Sequence, residues 1–139
     1  MKLKKLNSNQ EANINIAKYR IKWDAKCRSN FQYDVKQWFR RYWQNHVCLE
    51  EFTIPGSRLK VDLVNLNKRF LVEIDGLQHT NYNKHFHKGN RSAWLDQMRR
   101  DSYKRNWAED NGFTLLIVEP QDLPLTLDFF RTKYEVEII

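Results

Sequence analysis

Phe70–His79 reads FLVEIDGLQH. A short apolar run here carries two carboxylates two residues apart, Glu73 and Asp75, then Gly76 and His79. Strand side chains alternate, so Glu73 and Asp75 share one face of a strand over Phe70–Asp75. The run before it, Arg58–Leu66, sets Leu59, Val61 and Leu63 against Lys60 and Asp62, the alternation of a second strand. A tight turn at Asn67-Lys68 pairs residues whose numbers sum to 135, which sets Asp62 opposite Glu73. Like charges directly opposite on a sheet are unfavourable, and buried ionised carboxylates cost several kcal/mol. A divalent cation relieves both. Mg2+, or Mn2+ in its place, takes oxygen ligands, needs one or two carboxylates and keeps several waters. Asp62, Glu73 and Asp75 are therefore the expected metal ligands. His79, whose imidazole titrates near neutrality, is the expected proton acceptor for an attacking water.

Outward from this hairpin, the chain reads as one α/β domain. Val47–Ile54 is a first strand, closed by the Pro55-Gly56 turn. Ahead of it, Phe31, Val35, Trp38, Phe39, Tyr42 and Trp43 recur at helical steps within Ser29–His46. Their spacing argues for core packing over base stacking. Ser29 and Gln32 have the spacing of a capping box. After a polar, His- and Asn-rich loop at 76–92, Ala93–Asp110 reads as a helix with Leu95, Met98, Tyr103 and Trp107 inward. Asp96–Arg100 and Asp101–Arg105 are its expected i,i+4 pairs. Asn111-Gly112 stops it. Phe113–Val118 (FTLLIV) is a buried strand, and Leu125–Lys133 is a last short helix. The expectation is a mixed sheet with a three-strand meander, flanked by helices, over 29–139. Residues 1–28 are expected to be a basic flexible arm with a short helix near Asn13–Arg20.

The 139 residues carry 24 Lys+Arg and 17 Asp+Glu, net +7. Residues 1–48 hold 11 basic and 3 acidic side chains, and 84–105 are again basic. Two basic regions suit a polyanion. The candidate phosphate contacts are Lys22, Lys26, Arg28, Lys84, Lys88, Arg91, Arg99, Arg100, Lys104 and Arg105. No apolar run is long enough to cross a membrane, and MKLKKLNSNQ lacks the apolar core of a signal peptide. Cys27 and Cys48 show no paired spacing, and His79, His85 and His87 show no zinc spacing with Cys48. A cytoplasmic, intracellular protein is expected.

IPGSRLKVDLV, FLVEIDGLQH and MRRDSYKRNWAEDNGFTLLIV together resemble the PD-(D/E)XK nuclease superfamily, in particular its very-short-patch-repair-like branch, which includes some phage homing endonucleases. The resemblance spans about Phe52 to Val118. It implies a restriction-endonuclease-like core and a Mg2+-dependent endodeoxyribonuclease. Asp62 would be the metal ligand of the first acidic strand and Glu73 the acid of the next. Asp75 stands where most of the superfamily has lysine, with His79 in that lysine's role. Asp96, Arg100 and Asp101 would lie near the site, with Arg100 or Lys104 on the scissile phosphate. The glutamate often found on the first helix is absent, leaving Gln32 and Asp34 as the nearest polar groups. The expected partner is DNA, with RNA open. A structure-selective nuclease acting on branched DNA as a homodimer and a non-catalytic nucleic-acid-binding module are the alternatives.

Overall fold

The computed structural model describes residues 1–75 and 91–139. His79, Lys84, Lys88 and the other expectations on 76–90 lie outside the described residues.

The architecture is mixed α/β. A two-stranded antiparallel pair, β1 (Lys2–Lys4) and β2 (Glu11–Asn13), is followed by short α1 (Ile16–Tyr19) and by α2 (Asn30–Trp43). Then come β3 (Cys48–Thr53), β4 (Lys60–Asn65), β5 (Phe70–Ile74), α3 (Arg91–Asp110), β6 (Thr114–Val118) and α4 (Leu127–Tyr134). The main sheet has the order β3-β4-β5-β6, with the first two pairings antiparallel and β5–β6 parallel. The parallel pair follows from the connection, since a crossover carrying a helix returns the chain in the same direction.

Local chemistry explains the boundaries. Ser29 Oγ accepts the Gln32 N–H at 3.1 Å and starts α2. The Pro55-Gly56 turn forms as expected. Gly56 takes φ +81° and Ser57 N–H donates to Ile54 O at 3.1 Å. A β-carbon on Gly56 would also sit 3.0 Å from that of Lys5. Gly112, at φ +72°, ends α3, while Phe113 N–H donates to Ala108 O at 2.8 Å and Gly112 N–H to Glu109 O at 3.2 Å. These two bonds satisfy carbonyls the helix leaves open.

The β4–β5 turn takes four residues, 66–69, rather than the expected two. Arg69 adopts φ +60°, and Asn65 Oδ1 accepts the Lys68 N–H at 2.9 Å. The register is the expected one, with Asn65 opposite Phe70 and Leu63 opposite Val72.

Two cores flank the sheet. On one face Val35, Phe39 and Trp43 of α2 and Phe130 of α4 pack on Leu63, Val72 and Leu116. All seven are fully buried or nearly so, and each such side chain contributes about 1.5–3 kcal/mol. On the other face Trp107 and Ala108 of α3 pack on Leu49, Val64, Leu71 and Leu115.

Two expectations are corrected here. Leu95 and Met98 are each 42% exposed, so α3 buries itself through Trp107 and Ala108 near its C-terminus. Its N-terminal half stands clear of that core and turns a polar face to the sheet. Residues 1–28 are not a loose arm. Leu3 is buried, Lys4 N–H donates to Asn111 Oδ1 at 2.8 Å, and Trp107 Nε1 donates to Lys4 O at 2.7 Å. Farther on, buried Lys36 holds this segment by donating to the carbonyls of Lys22 and Ala25 and pairing with Glu50 at 2.9 Å.

Candidate active site

The site lies where regular sheet geometry breaks. Leu49 and Val64 face the α3 side, and so do Phe52 and Val61, three residues along each strand. Regular alternation repeats every two residues, so a three-residue step marks a change of facing. Between them lie Glu50 and Glu51 on β3 and Asp62 and Leu63 on β4. Glu51 has φ +48°, a left-handed conformation in mid-strand. The β4–β5 ladder also stops at Leu63–Val72, just before Asp62 would meet Glu73. The strands part there, and the gap is a cavity of about 230 Å³.

The cavity is lined by Asp62, Glu73 and Asp75 from the sheet, together with Glu51, Lys60 and Arg28. Gln97, Arg100, Asp101 and Lys104 of α3 close its other side. Their three- and four-residue spacing puts them on one helix face. The three acids expected from the hairpin register thus share one cavity with Arg100, Asp101 and Lys104.

Asp62 is nearly buried and anchored from two directions. Its Oδ2 accepts the Ile74 N–H at 2.8 Å, and its Oδ1 receives Arg28 Nη2 at 2.8 Å. Glu73 Oε1 pairs with Lys104 Nζ at 2.6 Å, both side chains being mostly buried. Burial, reinforced by the neighbouring Asp62 carboxylate, pushes the Glu73 carboxyl up to about 8, although Lys104 pulls the other way. Asp75 sits at the end of β5, where its N–H donates to Val118 O at 2.9 Å.

Gln32 enters the site indirectly. The capping box is only half made: the Gln32 side chain turns away from Ser29. It accepts from Arg28 Nε at 3.3 Å and donates to Glu51 Oε1 at 3.3 Å. Asp34 is exposed and Asp96 pairs with Arg99 at 3.4 Å; neither lines the cavity. The pair Asp96–Arg99 takes the place of the expected Asp96–Arg100, which frees Arg100 for the cavity. Lys22, Lys26, Arg91, Arg99 and Arg105 are exposed at the surface, outside the cavity.

Glu51, Lys60 and Gln97 were not anticipated. Lys60 had a signal, since it shares the alternation of Asp62. Glu51 had none, because a left-handed glutamate inside a strand has no signature in sequence.

Comparison with known proteins finds similarity to viral sequences. No family model matches the chain. It is 37% identical over 65 residues to "Uncharacterized protein 033L" of Invertebrate iridescent virus 3, covering 47% of this chain and 33% of that protein. It is 37% identical over 71 residues to "Uncharacterized protein 307L" of Invertebrate iridescent virus 6, covering 50% of this chain and 36% of that protein. The chain thus spans about a third of the length of the curated relatives it matches. No solved structure matches.

The donor set bears on a metal. Among the described residues, no three His, Cys, Asp or Glu side chains form a ready-made cage. Asp62 and Glu73 nonetheless present hard oxygens to one another in a polar cavity, an arrangement costly without a cation. That set fits Mg2+, which needs few protein ligands and retains water. Among the described residues, no helix is long and apolar enough to cross a membrane.

Proposed function

We propose that this chain is a metal-dependent nuclease with a restriction-endonuclease-like core, hydrolysing phosphodiester bonds in DNA. The supporting observation is the convergence of Asp62, Glu73 and Asp75 with Lys60, Arg100 and Lys104 around one cavity. Carboxylates alone repel a phosphodiester, and cations alone bind it without cleaving it. A site holding both accommodates the phosphate and a water together. The element order, with a helix, a three-strand meander, a helix and a parallel strand, supports the same reading.

Hydrolysis needs a water proton removed as the water oxygen bonds to phosphorus and a P–O bond to one sugar oxygen breaks. Asp62 and Glu73, with Asp75 beside them, would hold Mg2+, which when bound acidifies water and neutralises phosphate charge. Arg100, exposed at the cavity wall, is suited to a nonbridging phosphate oxygen. Lys104 holds Glu73 and adds positive charge where the transition state gains negative charge. His79 is assigned the water proton on the sequence alone. The exposed cations Lys22, Lys26, Arg91, Arg99 and Arg105 would neutralise flanking phosphates.

The test is cleavage of supercoiled plasmid with Mg2+ or Mn2+, comparing the wild type with Asp62→Ala and His79→Ala. Metal-dependent nicking or linearisation that both substitutions abolish is expected. Duplex binding that Asp62→Ala leaves intact, with no scission by the wild type in either metal, would identify a binding module instead.

A further inference from the structure

Arg28 stands apart from the other cations of the cavity. Its side chain is 71% exposed, yet it donates to the 6% exposed Asp62 at 2.8 Å. It reaches in from solvent to cover the acid. Lys104, the cation on Glu73, is mostly buried with its partner and has little room to leave. Among the described residues, the Arg28 guanidinium is tethered otherwise only by the 3.3 Å bond from Nε to Gln32. Swinging outward would therefore cost it little packing.

Its present position opposes metal entry. A dication approaching Asp62 meets the Arg28 charge at contact distance, with Lys104 already on Glu73. Among the described residues, the lining holds four cationic side chains, Arg28, Lys60, Arg100 and Lys104, against five acids, Glu51, Asp62, Glu73, Asp75 and Asp101. In the free protein most of that charge is internally compensated. A phosphate changes the balance, because a guanidinium binds it through two parallel N–H bonds and would turn toward it. Asp62 is then uncovered as negative charge arrives, and the dication is attracted to both.

We propose that Arg28 is a substrate-coupled latch: it covers Asp62 in the free protein and moves to a nucleic-acid phosphate, so that metal and nucleic acid bind cooperatively. This rests on the nuclease reading and adds an order of assembly to it. By linkage the coupling is reciprocal, so whatever nucleic acid does for the metal, the metal does for nucleic acid.

The test measures Mn2+ affinity of the free protein by electron paramagnetic resonance. Fluorescence anisotropy then gives the affinity for a labelled DNA duplex, with EDTA and with Mn2+. In the wild type, Mn2+ should tighten duplex binding by about fivefold or more. Arg28→Gln should bind Mn2+ alone about fivefold or more tighter than wild type, with the coupling reduced toward unity. Arg28→Lys keeps the charge and should stay near wild type in Mn2+ affinity, which separates a charge effect from loss of structure. If Asp62→Ala abolishes Mn2+ binding but Arg28→Gln leaves it at the wild-type level, the latch is wrong and the nuclease reading stands. If the wild type binds no Mn2+ with or without duplex, both fall.

Discussion

The Ile74 amide donates to Asp62 Oδ2 at 2.8 Å, two residues past the last rung of the β4–β5 ladder. The carboxylate thus replaces a strand as the acceptor for a buried backbone N–H. It holds open the gap that forms the cavity. Stability and proposed chemistry therefore meet in one side chain.

That double role separates two substitutions. Asp62→Ala leaves the Ile74 N–H without its acceptor and should cost about 1–3 kcal/mol. Asp62→Asn keeps an oxygen for that N–H and should cost less, as read by urea denaturation. Both lose the charge that would hold a cation. Both should lower plasmid cleavage by at least about a hundredfold. Equal activity of Asp62→Asn and wild type would remove Asp62 from the chemistry.

Glu73 predicts a pH dependence of the metal-free fold. Its folded carboxyl lies near 8, against an ordinary value of 4.5, because of burial and Asp62. Between those values the folded protein holds a proton that the unfolded chain releases. Unfolded chains then bind fewer protons, so stability falls as pH rises from about 4.5 toward 8 and levels off beyond. Glu73→Gln cannot titrate and keeps an oxygen for Lys104. It should remove a slope of up to about 1.4 kcal/mol per pH unit. Urea midpoints of the two proteins should diverge as pH rises, with the variant the more stable near pH 8. Parallel curves would show that Glu73 is ionised in the fold.

Asn111 carries a prediction about the N-terminal strands. Its Oδ1 accepts the Lys4 N–H at 2.8 Å and its Nδ2 donates to Trp107 O at 3.1 Å. Asn111→Ala should cost about 1–2 kcal/mol. It should also speed amide exchange in Lys2–Lys4 more than in the main sheet. Uniform exchange changes would argue against this local anchoring.

Legibility followed physical range. Alternation and turn chemistry are local, so the β4–β5 register could be read from the hairpin alone, and with it the approach of Asp62 and Glu73 to one cavity, although the ladder ends before the two pair. The stop at Asn111-Gly112 and the cap at Ser29 were equally local. What failed depended on distant partners. Leu95 and Met98 had the spacing of a buried face, but α3 meets the core only through its last turns. Basic residues 1–28 looked solvated because their anchors, Asn111 and Trp107, lie more than a hundred residues away. Arg28 reads in the sequence as a phosphate contact, and nothing local signals that it covers Asp62.

Glu51 offers the sharpest separation of stability from function. A left-handed backbone costs a non-glycine residue about 1–2 kcal/mol, and Glu51 holds φ +48°. The conformation changes the facing of β3 beside Asp62 and brings Glu51 into the cavity lining. Glycine adopts this conformation without the β-carbon penalty. Glu51→Gly relieves that strain, gives up one long hydrogen bond from Gln32 at 3.3 Å and loses about 0.4–1 kcal/mol to the freer unfolded chain, so it should leave the fold slightly the more stable. The same change removes a carboxylate from the site and loosens Gln32, which holds Arg28. Plasmid cleavage should therefore fall while the melting temperature rises. Opposite signs in the two measurements would mark Glu51 as a strained position retained for its place in the cavity. A drop in both would make it a structural residue whose side chain matters more than its backbone.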